Sequence, residues 1–495
     1  MTSQAENLDV LIIGAGISGI GAAYRIKERN SAYTYAILES RANVGGTWDL
    51  FRYPGIRSDS SIFSLSFPWE PWTRPEAIAD GADIREYLVH TARKHGIYEH
   101  IRFNHRAVSA DWDSTSATWT VHADHGGAHT TFCARFIFFA TGYYNYDEGY
   151  TPDFPGVDTF SGRIIHPQHW PEDLDYAGTS VVVVGSGATA VTLVPSLADK
   201  AGKVIMLQRT PSYIGAYPRI SRTASAVRKV LPDRAFQAFA RLMFSMQEAT
   251  SWFLSRRFPG FIKWSFRRMQ TEKLPDGYDI DTHFTPPYNP WDQRICLAAD
   301  GDLYSAISAG RVEMLTDHID HFDADGIVLR SGRRVDADII VTATGLQLQA
   351  LGGVTLSLDG TELKSQDRFV YKAHMLEDVP NLFWCLGYTN ASWTLRADMT
   401  ARATAKLLAH MRKHGYNSAY PHHDGAPMAE KPAWDIEAGY VLRNLHALPK
   451  SGVKRPWNVR QNYLADAIDY RLDRINEAMV FGEFTENTLQ ARRSE

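Results

Sequence analysis

Two glycine hexads, and the side chains at the ends of the strands that follow them, set the chemistry open to this chain of 495 residues. Gly14-Ala15-Gly16-Ile17-Ser18-Gly19 follows the apolar run DVLII at Asp9–Ile13. Gly185-Ser186-Gly187-Ala188-Thr189-Ala190 follows SVVVV at Ser180–Val184. Strand, glycine turn and helix in that order bring backbone N–H groups against a pyrophosphate. The first glycine permits the tight turn, the second clears the approach, and the third lets helix pack on strand. The next strands end differently. Tyr35–Leu38 runs into Glu39, whose carboxylate suits a ribose diol, whereas Lys203–Leu207 runs into Gln208-Arg209-Thr210. A carboxylate repels a ribose 2′-phosphate and a guanidinium pairs with it, so the second site is expected to prefer NADPH over NADH. Cys133, Cys296 and Cys385 are isolated, which excludes a disulfide framework, a cysteine zinc site and a dithiol reductase. Hydride from NADPH would then pass to a flavin in the first fold, with oxygen or a small acceptor as oxidant.

Those side chains need two frameworks. Each glycine unit meets a later segment, FIFFATG at Phe136–Gly142 and DIIVTATG at Asp338–Gly345, expected as strands closing a nucleotide sheet. The hexads lie too far apart for a repeat array. The expected fold is α/β, with two Rossmann-like dinucleotide-binding domains, for FAD and NADP, and a helical insert. The FAD-binding domain is expected over 1–146 and 346–495, the NADP-binding domain over 147–215 and 300–345, and the insert over 216–299. From Arg219 to Lys273 the chain has twelve Lys/Arg against three Asp/Glu, although its overall formal charge is −4. Apolar residues there, Phe236, Phe244, Phe253, Phe261 and Trp264 among them, recur at helical spacing. One reading is a helical element packed on the nucleotide domains with a basic outer face. The other is a weak peripheral contact of 219–273 with anionic lipid. Were these aromatics to bound the substrate space, each added methylene would gain about 0.8 kcal/mol on burial, favouring medium-chain ketones and apolar thioethers. Charged residues at 22% and hydrophobic ones at 44% exclude a disordered chain. No nucleic-acid partner and no metal is expected. No run of about 18 apolar residues appears, and Met1–Asp9 lacks the basic segment of a signal peptide. The expected location is cytoplasmic, with peripheral membrane association as the variant.

Between the two units, the segment Phe160-Ser161-Gly162-Arg163-Ile164-Ile165-His166-Pro167-Gln168-His169-Trp170-Pro171 fits FxGxxxHxxxWP. It resembles the fingerprint of the flavin-dependent Baeyer–Villiger monooxygenases; related flavin-containing monooxygenases usually carry another residue where Trp170 stands. Gly45-Gly46-Thr47-Trp48, the segment from Arg52 to Asp59 (RYPGIRSD), and Asn289 to Cys296 (NPWDQRIC) are similar to the same family. ATGYYNYDEGY at 140–150 and GYTNASWTL at 387–395 resemble most its bacterial ethionamide-activating branch. The likeness runs over nearly the whole chain. It implies FAD and NADPH as cofactors, molecular oxygen as co-substrate, and oxygen insertion into ketones through a C4a-peroxyflavin, with sulfoxidation of thioethers or thioamides as a side activity.

Residue by residue, the resemblance implies that Gly14, Gly16, Ser18 and Gly19 bind the FAD pyrophosphate and Glu39 its ribose. Thr47, Trp48 and Asp59 would line the flavin, backbone near Ala107 would reach the adenine, and Arg57 and Ser58 would join the same cofactor-binding set. Ser186, Gly187, Ala188, Thr189, Ala190 and Thr192 would hold the NADP pyrophosphate, with Arg209 and Thr210 on the 2′-phosphate. Arg294 matches the family's active-site arginine, and Asp59 would orient it; a cap on the RSDSS turn is the other role open to Asp59. A guanidinium stays charged at any working pH and stabilises both a peroxyanion and the oxyanion of its ketone adduct. His166 and Trp170 are expected in a linker that moves during the cycle, and His169 on the surface. One position departs from the pattern. Many members carry Lys before the arginine, where this chain has Gln293, so phosphate selection rests more on Arg209.

Three other readings stay open at this point. They are a sulfur- or nitrogen-oxygenating flavin monooxygenase, an uncoupled NADPH oxidase or flavin reductase, and a redox-sensing module that would need no Arg294. Ester formed per NADPH consumed separates them.

Overall fold

The computed structural model describes residues 5–434, 437–472 and 474–482. Parts of two sequence expectations, the N-terminal segment at 1–4 and the FAD-domain span at 435, 436, 473 and 483–495, lie outside the described residues.

Strands rich in β-branched and aromatic residues on both faces pair in parallel beneath helices. The first sheet is built so. Glu6–Ile13, Tyr35–Glu39, Ile101–Phe103, the second half of Ala128–Phe139 and Leu382–Trp384 run parallel, with Leu11, Ile12 and Phe136 to Phe138 fully buried. The first half of Ala128–Phe139 continues into an antiparallel meander with Thr118–His125 and Arg106–Asp113, and Thr355–Leu358 with Thr361–Leu363 extends the sheet to nine strands. FIFFATG is therefore strand only as far as Phe139, and its ATG is the turn. Helix Ile17–Arg29 lies along helix Trp393–His414. Arg25 pairs with Asp398 at 2.8 Å, and Asn30 Nδ2 donates to the Ala405 carbonyl at 3.0 Å.

The second sheet has five parallel strands in the order Val312–Thr316, Lys203–Gln208, Ser180–Val184, Ile339–Thr342, Arg163–Ile165. A ribbon of Tyr144–Gly149 against Leu346–Leu348 carries the chain out of the first sheet and back. The FxGxxxHxxxWP segment folds onto that ribbon. The His166 ring fills the space over Gly149, with Nε2 3.2 Å from the Gly345 carbonyl, and Gln168 donates to the Asn145 carbonyl at 2.8 Å. Burial lowers the His166 pKa and Trp170 is buried, while His169 is exposed. The motif clamps both crossover strands at once.

Between Tyr217 and Cys296 come helices Arg222–Arg228, Asp233–Arg257, Pro259–Lys273 and Ile280–Phe284, above a parallel pair of Ile214–Tyr217 and Cys296–Ala299. The longest helix packs on the first unit. Phe236 and Phe244 meet Phe63 at 5.3 and 5.6 Å between ring centroids, and the Arg241 guanidinium donates to the carbonyls of Ser64 and Ser66 at 3.0 and 2.7 Å. Leu242, Phe253, Phe261 and Trp264 face solvent instead.

Candidate functional site

The first cradle is set by backbone. Gly14 has φ +106°, and a Cβ there would stand 2.7 Å from the Ala140 carbonyl oxygen, so only glycine fits. A Cβ at Gly19 would run into the Gly14 carbonyl. Gly16 faces Gly46, where a Cβ would come within 3.1 Å of the Gly16 Cα, so two bare backbones border one slot. Helix Ile17–Arg29 begins at that slot with no side-chain cap and no acid in its first turn, leaving its N–H groups for an anion. At the end of the second strand, Glu39 is 4% exposed; its carboxylate accepts from the N–H groups of Ala15 and Arg41 at 2.8 and 2.9 Å, and burial raises its pKa. Gly14, Gly16, Glu39 and Ala107 line one cleft. A bare-backbone slot at a free helix start, with a carboxylate one strand away, fits a dinucleotide. The Gly45-Gly46-Thr47-Trp48 loop is fixed by Asp49, which is fully buried against Arg41, Arg52 and Arg85.

The second cradle repeats the backbone solution. Gly185, at φ +147°, rests on the Ala343 carbonyl as Gly14 rests on that of Ala140, each the alanine of an ATG. Gly187 opens helix Ala188–Leu197, which again lacks a side-chain cap and a first-turn acid, and nothing stands within 4 Å of a Cβ built there. This opening also fits a dinucleotide pyrophosphate. Ser186 Oγ donates to the Thr210 carbonyl at 2.9 Å, tying the turn to the neighbouring strand end, where Arg209 is exposed.

One loop joins the two units. Along RYPGIRSD, the Tyr53 hydroxyl bonds Thr189, and Gly55 leaves room for the Thr192 carbonyl, 3.0 Å from its would-be Cβ. Arg57 pairs with Asp302 at 2.5 Å, and Asp59 with Arg294 at 2.9 Å. Ser58 is buried, exchanging hydrogen bonds with the Ala79 backbone. The loop borders a cleft of about 1520 Å³ including its open mouth. Gly16, Ser18, Thr47, Trp48 and Arg57 to Asp59 from the first unit meet Ala188, Thr189, Thr192 and Arg294 along it. Gly14, Glu39 and Ala107 lie in the adjoining cleft, which shares Gly16 and Gly46 with it. Gly19 and Ala190 sit in helix–sheet contacts, and Ser186, Gly187, Arg209 and Thr210 line neither cleft.

Around Arg294 the charges are few. Asp59 raises the pKa of its guanidinium, burial keeps the Tyr143 phenol protonated, and burial pushes the Cys296 thiol up to about 12. A fixed cation therefore stands among neutral groups with one carboxylate partner. The walls are aromatic, and sequence reasoning assigned these residues no role. Tyr143 stacks on Trp393 at 5.2 Å and meets Trp434 edge-on at 5.6 Å. Trp393 Nε1 donates to Ser18 Oγ at 2.8 Å, and Tyr144 donates to Thr47 Oγ1 at 2.6 Å. The density of aromatics in YYNY and SWTL was the available signal. One expectation is corrected. No residue of 219–273 lines this cleft, because the long helix spends its inward aromatics on Phe63 and turns the others to solvent.

A family model described as FMO-like, flavin-binding monooxygenase-like, matches residues 8–351. The chain belongs to this flavin-binding monooxygenase-like family. Its match takes in both glycine turns, the 52–59 loop and Arg294, and ends before Trp393 and Trp434. The FAD-containing monooxygenase EthA of Mycobacterium tuberculosis is 47% identical over 475 residues, covering 96% of this chain and 97% of EthA. Among solved structures, an oxidised steroid monooxygenase bound to NADP superposes with a TM-score of 0.76 at 21% identity, over 97% of this chain and all of that one. An open cyclohexanone monooxygenase gives 0.74 at 20% identity, over 96% of this chain and all of that one. At such identities the likeness is one of fold. This flavin-binding monooxygenase-like chain shares their mixed α/β architecture.

Proposed function

We propose that the protein is a FAD-containing, NADPH- and oxygen-dependent Baeyer–Villiger monooxygenase that converts ketones to esters and oxidises thioethers as a side activity. The observation that carries this reading is the Arg294–Asp59 pair, 2.9 Å apart, in the cleft between the two glycine units. In this reading FAD belongs to 1–146 and 346–495. Gly14, Gly16, Ser18 and Gly19 admit its pyrophosphate, Glu39 takes a ribose hydroxyl, backbone near Ala107 borders the adenine, and Thr47, Trp48 and Asp59 border the flavin. NADPH belongs to 147–215 and 300–345, with the helix start from Gly187 on its pyrophosphate and Arg209 and Thr210 on its 2′-phosphate. The identity with an FAD-containing monooxygenase and the ketone and steroid monooxygenases that share the fold support it.

Reduced flavin, when bound, supplies the activated oxygen. The side chains do the rest. Arg294 holds a non-titrating charge where an oxyanion develops on the ketone, and Asp59 fixes its direction. Tyr143, Trp393 and Trp434 give the same cleft an apolar wall beside that charge. The test counts ester formed per NADPH oxidised over linear and cyclic ketones, with hydrogen peroxide measured in parallel. Arg294→Ala is expected to lower ester formation about 10²-fold or more while flavin content and hydride transfer persist. Ester formation by that variant at the wild-type rate overturns the reading. Sulfoxide without ester favours a sulfur oxygenase, and peroxide equal to NADPH consumed favours an oxidase.

A peripheral lipid contact is a second reading, carried by the junction of the two long insert helices. Phe253, Phe258, Phe261 and Trp264 are exposed there among Arg256, Arg257, Lys263 and Arg268. No helix among the described residues is long and apolar enough to cross a membrane. Binding to phosphatidylglycerol vesicles that falls with salt, and none to phosphatidylcholine, is expected; no binding to either discards this contact.

A further inference from the structure

Three strands of the second sheet end side by side, Lys203–Gln208, Ser180–Val184 and Ile339–Thr342. Arg209 follows the first, the glycine turn the second, and a short stretch to Gly345 the third. Nucleotides bind outside the carboxyl ends of such strands. A second guanidinium reaches this edge from far along the sequence. Arg443 follows helix Gly439–Leu442, and its Nη2 stands 3.6 Å from where a Cβ at Gly345 would be. Its Cζ lies 3.5 Å from the centroid of the Tyr150 ring, and the Tyr150 N–H donates to the Gly345 carbonyl at 3.0 Å. The ring and the bare glycine together hold the guanidinium in one direction. Partial desolvation against its neighbours and the positive charge of Arg209 lower the Arg443 pKa, opposed only in part by Tyr150, and Arg443 pairs with no carboxylate among the described residues. Arg209 follows the strand on one side of the glycine-turn strand and Arg443 stands beside Gly345 after the strand on its other side, so the two guanidinium groups flank that turn and can share an anion bound over it.

We propose that Arg443 is the second cation of the 2′-phosphate subsite and, with Arg209, selects a dinucleotide phosphorylated on the adenosine ribose. The inference rests on the NADPH reading of the second glycine unit. A phosphate dianion between two guanidinium groups is charge-balanced, and each fork can offer it two N–H donors.

The experiment titrates the FAD-loaded protein with adenosine 2′,5′-bisphosphate and with 5′-AMP by calorimetry, for wild type, Arg209→Ala, Arg443→Ala and Arg443→Lys. Wild type should prefer the bisphosphate. Arg443→Ala should weaken it about tenfold and 5′-AMP by less than about twofold, with a shallower salt dependence, and Arg443→Lys should recover part of the loss. If wild type binds the two ligands equally, the NADPH reading fails and takes this inference with it. If wild type and Arg209→Ala differ as expected but Arg443→Ala matches wild type, or weakens both ligands alike, only the role of Arg443 is overturned.

Discussion

The two glycine units share a backbone and differ in everything laid over it. Gly14 and Gly185 are both left-handed, both rest on the carbonyl of an alanine in ATG, and both precede an uncapped helix. At the third position of the hexad the first unit has Gly19, where a Cβ would strike the turn, while the second carries a buried Ala190. Gly16 is faced by Gly46, yet a Cβ built at Gly187 would meet nothing within 4 Å. Glu39 is 4% exposed and spent on two backbone donors, whereas Arg209 is exposed. The first cradle is closed in by the Gly45–Trp48 loop and by helix Trp393–His414; the second lies open. In the proposed assignment the same turn would serve a ligand that stays and a ligand that exchanges, with the cover over it making the difference.

The largest expected effect lies in the closed cradle. Gly19→Ala should yield protein nearly devoid of flavin, read as flavin absorbance per protein; full flavin content would break the comparison. Next comes Glu39→Ala. It leaves the buried N–H groups of Ala15 and Arg41 without an acceptor, at a cost of about 1–3 kcal/mol each. Flavin affinity should drop by tenfold or more, on the order that such a cost implies, while the KM for NADPH stays put. Arg209→Ala should do the reverse, raising the KM for NADPH about tenfold and leaving NADH and flavin content unchanged. Equal use of NADH and NADPH by the unaltered protein would erase the charge half of the contrast.

A smaller, pH-dependent effect comes from Glu248. This residue of helix Asp233–Arg257 accepts from Ser64 Oγ at 2.9 Å and from the Ser392 N–H at 3.1 Å, so the insert braces the first unit just before Trp393. Burial lifts its pKa to about 7. A carboxyl raised in the fold stabilises it fully below the ordinary carboxylate range and loses that contribution as pH rises through about 7. Thermal stability should therefore decline from about pH 5 to about pH 8, and Glu248→Gln should flatten that decline. Identical pH slopes for the two proteins would remove Glu248 from the account. The smallest effect on the fold belongs to Gly187→Ala. With φ −80° and no atom of the chain within 4 Å of a Cβ built there, thermal stability should match that of the unaltered protein, in contrast to Gly19→Ala, while the KM for NADPH rises because the methyl stands where the pyrophosphate approaches.

Much of the first-order plan was legible in the chain. A left-handed glycine after a β-branched strand is a local requirement, met within a dozen residues, so both turns and the opposed Glu39 and Arg209 could be read directly. The strands of ATG were overread, because their last three residues serve the glycine turn across from them rather than a ladder partner. The basic, aromatic segment 219–273 misled in another way. Helical spacing gives a face but not what the face meets, and the meeting with Phe63 took the inward aromatics away from the cleft.

What the sequence by itself determined is whatever depends on neighbours along the chain: two dinucleotide turns, a carboxylate after one and a guanidinium after the other. Only the tertiary structure decided which distant groups share a surface. It brought Tyr53, Gly55, Arg57 and Asp59 onto Thr189, Thr192, Asp302 and Arg294, and stacked Trp393 on Tyr143. It also stood Arg443 beside Gly345 and the charge of Arg209. The physical reason is that φ/ψ preferences act over a few residues, whereas ion pairs and ring contacts act over a few ångströms, wherever the chain has folded back upon itself.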